Sequence, residues 1–256
     1  MNCVQLVDRS FNVLLTNSNT MKERSSTSST ARVFASRMSP VTHAERSSYK
    51  HAVGVLLLLL AIDAVMIVLA VMQNRGVLTD PRFLLWWERG FPEMLQYAKY
   101  AAGAIIMFRG AARGYGRTAV VWGMLFMLLL CEDSLMIHER IGARIGTYLH
   151  FPSIRSMEPA QVGEIVVAAG EGGTFFIALV LTLRTASHAS RRLTFALLVG
   201  LFALAGFGVI VDAINSMASR GTWIRRVLGF VEDGGEMVAA SLLVWTAWVW
   251  RDPERG

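Results

Sequence analysis

The sequence predicts an all-α protein: a polytopic transmembrane bundle of six spans with both termini in the cytoplasm. Three observations point there. Of the 256 residues, 54% are hydrophobic and only 17% charged, with mean hydropathy +0.44, which is too apolar for an ordinary soluble domain. Six segments approach the roughly 20 apolar residues a helix needs to cross a bilayer core of about 30 Å. The loops joining them alternate between basic loops free of acid and loops of mixed charge.

Residues 1–50 precede the first span. Their polar run Ser25–Thr30 has no pattern for a fold, and they lack the apolar core and cleavage site of a secretory signal. They read as a disordered cytoplasmic arm, with Met38 as an alternative start of translation. The first span, Ala52–Met72, carries the run Leu56–Leu60. The second, Glu93–Phe108, is short and polar at its start, so a tilted or partly interfacial helix is expected. The third is Thr118–Ile137, the fourth Val162–Leu183, the fifth Leu193–Ile214 and the sixth Val227–Trp250. The six-helix domain is therefore 51–251, followed by a short cytoplasmic tail at 252–256.

Orientation follows from the short basic loops. Arg109, Arg113 and Arg117 lie between spans two and three, and Arg184, Arg191 and Arg192 between four and five. With Arg46, Lys50, Arg251 and Arg255 they define a cytoplasmic side, as expected in a cell inner (plasma) membrane. Trp245, Trp248 and Trp250 then form an inner aromatic belt, and Trp86 and Trp87 an outer one.

Several function classes fail on residues. A net charge of +6 and pI near 9.8 would suggest nucleic acid in a soluble protein, but here the basic residues serve topology, so no nucleic acid is expected. Cys3 and Cys131 imply no disulfide framework. His138 is the sole intramembrane histidine, which argues against bis-His haem and three-His zinc. No nucleophile elbow, Walker loop or dinucleotide fingerprint occurs, so no nucleotide is expected.

The acids carry the functional signal. When consecutive spans are laid antiparallel, Glu93, Glu132, Asp133, Glu139, Glu164, Asp212, Glu232, Asp233 and Glu236, with His138, fall at one end of the bundle. Glu171 lies about two turns deeper than Glu164, and Asp63 near the middle of span one. A charge facing lipid costs about 2.5–3.5 kcal/mol at mid-depth, so the deeper groups must face one another, water or a cation. In span two Glu93, Gln96, Tyr97 and Tyr100 form a polar stripe, and Lys99 beside it is the one intramembrane cation, a candidate partner for Asp63. On a continuous helix Glu132 and Glu139 share a face, with His138 and Cys131 on its flank; Glu232 and Glu236 are an i,i+4 pair. Small residues at 101–104, at Ala168, Gly170, Gly172 and Gly173, and at Gly234 and Gly235 would let these helices approach closely.

Carboxylates with one imidazole suit Mn, Fe, Mg or Ca, or Zn if Cys131 joins. The candidate metal ligands are Glu132, His138, Glu139, Glu232 and Glu236, supported by a polar network of Asp63, Glu93, Lys99, Asp133, Glu171, Asp212 and Asp233. Two metal-free alternatives stand beside this: a proton-sharing network of crowded carboxyls, and acids that simply sit among headgroups or at helix N-termini. The functional expectation is a cation-binding or proton-handling membrane protein, as transporter, sensor or binder. The alternatives are a metalloenzyme acting on a lipid or quinone-like substrate at the outer leaflet, and a structural subunit with an inert polar network.

The stretch from Cys131 to Arg140, with Glu132 ahead of His138-Glu139, and the stretch Val231–Met237, with Glu232-Asp233 ahead of Glu236, resemble a group of uncharacterised bacterial integral membrane proteins. The resemblance runs from about Trp122 to the C-terminal end. It implies that Glu132, His138, Glu139, Glu232, Asp233 and Glu236 belong to one site, and it implies no activity.

Overall fold

The structure, a computed structural model, describes residues 43–150, 158–218 and 222–250. The chain divides into two compact units at Ser47/Ser48. The unit Met1–Ser47 lies almost wholly outside the described residues, as do the expected N-terminal arm, the alternative start at Met38 and the tail at 252–256. The second unit, Ser48–Gly256, carries every candidate site residue.

Among the described residues the secondary structure is entirely helical. The helices are α1 (His43–Asn74), α2 (Phe91–Gly110), α3 (Gly116–Leu135), α4 (Ile137–Tyr148), α5 (Pro159–Leu183), α6 (His188–Ala205), α7 (Asp212–Met217) and α8 (Trp223–Val249). A 3-10 turn (Pro81–Phe83) precedes α2, and π-type segments join α2 to α3 (Ala111–Tyr115) and α6 to α7 (Gly206–Val211). By length and composition four stretches could cross a membrane: Lys50–Asn74, Phe91–Leu135, Pro159–Leu183 and His188–Asn215. The second of these holds two helices. The chain reverses where Gly114 (φ 113°) and Gly116 (φ 70°) take backbone angles that suit glycine. α8 carries Arg225, Arg226, Glu232, Asp233 and Glu236, a heavy charge load for a span.

The expected short second span is longer than its apolar core suggested. Pro92 at its start and Gly90 before it set a 20-residue helix, about 30 Å at 1.5 Å per residue. It packs along α3 as a hairpin. A Cβ on Gly103 would meet the Phe126 ring at 2.6 Å, and one on Gly123 the Phe108 ring at 2.8 Å. The small residues of 101–104 thus do allow close approach. Three other helix starts are capped by local residues: Ser187 accepts from Ser190 N (3.2 Å), Thr222 from Arg225 N (3.4 Å), and Glu158 with Gln161 makes a capping box before Pro159. In the connection before α2, the Arg82 guanidinium beside Asp80 holds that carboxyl below the usual range.

Side-chain contacts fix the helix directions. Trp122 donates to Thr194 (3.3 Å) and Ser190 to the Tyr115 carbonyl (3.2 Å), so α3 and α6 run parallel from the hairpin end. Trp122 packs on Phe175 with ring centroids 5.2 Å apart, placing α5 across from α3. α8 packs against α6 and α2. A dry core of Trp122, Phe126, Leu197, Ala240 and Leu243 fills the half of the bundle toward the hairpin end. The acids gather at the opposite end.

α1 is held chiefly by polar contacts and a small apolar patch. Ala70 packs with Leu85 and Met237, and Trp245 Nε1 donates to the Ala52 carbonyl (2.7 Å). Trp245 is therefore more than a residue of an aromatic belt. Trp245→Phe is expected to cost about 1 kcal/mol, read as a lower unfolding midpoint in detergent than that of the wild type.

Candidate functional site

α3 ends at Met136, whose backbone is left-handed (φ 52°, ψ 46°), and α4 starts at the next residue in a new direction. The sequence does not predict this break. Face arithmetic carried from Glu132 to Glu139 on one continuous helix therefore does not hold. Glu132 and His138 nevertheless meet, by another route. Glu132 Oε2 accepts from the His138 backbone N–H (2.9 Å) and lies 2.8 Å from its Nδ1. Glu132 thus caps the first turn of α4, where a carboxylate is favoured. Glu139, one residue on, is exposed.

α4 is an amphipathic helix laid against the start of α5, and glycines set that contact. A Cβ on Gly163 would fall 2.0 Å from the Gly142 carbonyl oxygen, and one on Gly146 2.1 Å from the Pro159 oxygen. The small residues expected to draw α5 inward do something else: a Cβ at Gly170, Gly172 or Gly173 would meet nothing within 4 Å. On α8, Gly235 does accept the Phe207 ring closely (2.3 Å to an added Cβ).

Two cavities meet at the acidic end. The first, about 310 Å³, lies among α3, α5, α6 and α8 and is lined by Glu132, Asp133, His138, Glu164, Glu171, Asp212 and Glu236 above an apolar floor. The second, about 250 Å³, is bounded by the Leu85–Glu88 connection, α2, α4 and α8, and includes Glu93, Glu139 and Asp233. Glu132, Asp133, His138 and Glu236 line both, so these four residues form the wall between an apolar chamber and a polar one.

Glu132 is 6% exposed, and its Oε1 has no hydrogen-bond donor. Glu171 lines the same cavity and interacts with Glu132, acid facing acid. Asp212 and Glu232 are a second interacting pair of acids, with Asn215 Nδ2 donating to Glu232 Oε2 (3.0 Å). Glu236 takes a long hydrogen bond from Gln96 Nε2 (3.4 Å), which also reaches the Tyr100 hydroxyl (3.0 Å). The π-type segment Gly206–Val211 makes room for Glu236, because a Cβ on Gly208 would lie 2.2 Å from Glu236 Oε1. Such π turns shift the side-chain register of a helix and are frequent at functional sites. Tyr97 donates to Glu93 and lies 3.1 Å from the Asp133 carbonyl.

Asp63 and Lys99 stand apart from both cavities. Lys99 Nζ pairs with Asp63 and donates to the Met237 carbonyl (3.0 Å), and Ser241 Oγ donates to Asp63 Oδ2 (2.6 Å). The expected pairing of the two is present, and it is structural. Of the polar partners that sequence reasoning missed, Ser241 is a single polar residue in the apolar run Met237–Trp245, a signal that could have found it, while Asn215 sits between Asp212 and Ser216 and carries none.

The five expected metal ligands do not come together as a group. Among the described residues no set of three or more His, Cys, Asp and Glu side chains is arranged to hold a metal ion. Glu132 and His138 are engaged with each other, Glu232 is held by Asn215, and Glu139 is exposed on α4.

Residues 85–251, well over half the chain, match the family model described as a domain of unknown function, DUF8692. The chain belongs to the DUF8692 family. The match takes in both cavities and α2 to α8, and leaves out α1. It fits an uncharacterised group and reaches further toward the N-terminus than the resemblance from Trp122. No curated protein and no solved structure matches the chain.

Proposed function

We propose that this DUF8692 chain is a six-span protein of a bacterial inner membrane, both termini cytoplasmic, that holds cations, protons first among them, in a carboxylate–His cluster at the outer end of its bundle. The observation that carries this reading is the buried Glu132 oxygen with no donor, in a cavity wall that Glu132 shares with Glu171 and other carboxyls. Crowded carboxyls raise one another's pKa, and a proton or another cation held among them relieves the repulsion. The Asp212–Glu232 pair repeats the arrangement. The basic, acid-free loops support the orientation.

The dry core on the hairpin side favours a one-sided site over a path through the membrane. This supports a binding, sensing or catalytic role more than transport. The lack of a converging three-ligand group among the described residues weighs toward protons over a divalent metal.

The experiment is infrared difference spectroscopy on the purified full chain. At neutral pH a carboxylic-acid C=O band is expected, and its Glu132–Glu171 component is expected to be lost in both Glu132→Gln and Glu171→Gln while the Asp212–Glu232 component remains. A band undiminished in both variants, or its absence from the wild type, overturns the shared-proton reading. Equilibrium dialysis against Mn²⁺ and Zn²⁺ covers the metal alternative. Stoichiometric binding lost in Glu132→Gln and His138→Ala would replace the proton with a metal.

A further inference from the structure

The 310 Å³ cavity has a shape and lining that the cation-holding reading does not use. Its lower part is apolar, with Leu125, Leu128, Leu129 and Phe175 on α3 and α5. Its upper part is acidic, and none of its described lining residues is Lys or Arg. It also has an open side. Ile165 on α5 and Phe202 and Val209 on the α6 side line the cavity yet are 41%, 61% and 40% exposed. α5 packs on α4 and α3 while α6 packs on α8, so a gap opens between α5 and α6. Phe176 and Phe202 stack across it, with ring centroids 5.9 Å apart. In a bilayer that gap faces lipid.

We infer that this chamber binds a single-chain amphiphile with a protonated amine head. The head lies at Glu132 and Glu171, and the chain leaves between α5 and α6 into the membrane. The inference rests on the cation-holding reading, because the ammonium would take the place of the shared proton. The observation separate from that reading is the cavity's apolar floor and exposed side, and Glu132, 6% exposed on its wall, has one oxygen without a donor that an N–H would satisfy. The volume is near the lower end of the roughly 300–1,000 Å³ usual for small-molecule sites. That suits a head and the first part of a chain, with the remainder in lipid. A phosphate-bearing head finds no basic partner among these lining residues and would meet a wall of carboxylates.

The glycines of α5 give a clean test. Gly172 lines the cavity and Gly173 does not, yet a side chain on either meets open space. A Cβ at Gly172 meets no neighbour, so Gly172→Leu adds its bulk on the chamber wall, and Gly173→Leu carries the same change to an exposed position. The probe is radiolabelled dodecylamine, with the full chain in phosphatidylcholine nanodiscs and empty nanodiscs subtracted. Saturable binding is expected in the wild type and in Gly173→Leu. A loss of tenfold or more is expected in Gly172→Leu and in Glu132→Gln. Dodecanol and dodecanoate are expected not to compete.

Equal binding by Gly172→Leu, or competition by dodecanoate, overturns the inference. Displacement by phosphatidylethanolamine in the nanodisc also overturns it, by assigning the ammonium to a lipid headgroup. The Gly172→Leu variant keeps both carboxyls, so its C=O band is expected to remain. If the band is intact and no amine binds to the wild type, the amphiphile site fails while the proton-sharing cluster stands.

Discussion

Lys99→Met is expected to destabilise the protein by about 3–5 kcal/mol, because it strands a buried carboxylate. Asp63 is 1% exposed and Lys99 3%, so water cannot replace the lost partner. Ser241 Oγ would be the one remaining donor shown for Asp63. The double variant Asp63→Leu/Lys99→Met removes both charges and is expected to recover most of that loss, since a buried pair roughly balances its desolvation against its attraction. Ser241→Ala is expected to cost less, about 1.5–3 kcal/mol, the worth of one hydrogen bond to a charged group. Unfolding in mixed micelles, followed by tryptophan fluorescence, gives the values for wild type and all three variants. A double variant no better than Lys99→Met would show that the pair is not the coupled unit described. The expected failure has a location. Asp63 is on α1, while Lys99 and Ser241 are on α2 and α8. The DUF8692 match begins at Leu85, after α1. The ion pair is thus the main lock between the matched region and the helix before it, and Lys99→Met is expected to expose α1 to proteolysis before the rest of the bundle.

The helices themselves were legible because apolarity dominates a span. The first, second and fourth expected spans lie inside single observed helices. The fifth runs through α6 and its π-type segment into α7, and the third and sixth overrun their helices by two residues and one. The break at Met136 was not legible. Glycine and asparagine mark a left-handed residue in sequence, and methionine does not. The convergence of Glu132 and His138 has a different cause from the one the spacing suggests: a side chain capping the next helix joins them, and not a shared helical face. The Asp63–Lys99 pair was legible because one buried cation has to find an anion. The neighbours of Glu232 and Glu139 were not, since composition fixes depth along a helix and leaves rotation about its axis open. The same ambiguity explains the glycines. Gly170 and Gly173 look like a packing face in sequence, yet nothing lies within 4 Å of a Cβ placed there. The real close contact carries the spacing Gly142-x-x-x-Gly146, in a stretch too polar to be taken for a span.

That contact sets the second large effect. Gly163→Ala is expected to cost about 3 kcal/mol or more, at or above the usual upper range for overpacking. The added methyl would lie 2.0 Å from a backbone oxygen and not from a flexible side chain, so relief requires α4 and α5 to separate. Gly170→Ala, in open space on the same helix, removes a helical glycine and is expected to gain up to about 1 kcal/mol. The pair separates helix propensity from contact, because the chemical change is identical. The functional consequence follows from where α4 begins. Its first turn holds His138 against Glu132 Oε2. If α4 lifts from α5, Glu132 loses both donors from His138, and the wall between the two chambers opens. Gly163→Ala is therefore expected to shift the shared-proton C=O band although every carboxyl is still present, while Gly170→Ala leaves it in place. Thermal unfolding and infrared spectroscopy on the two variants check both parts. A Gly163→Ala protein that melts like Gly170→Ala would mean that α4 is not seated on α5 in the membrane. The cavity would then have to be built without its His138 wall.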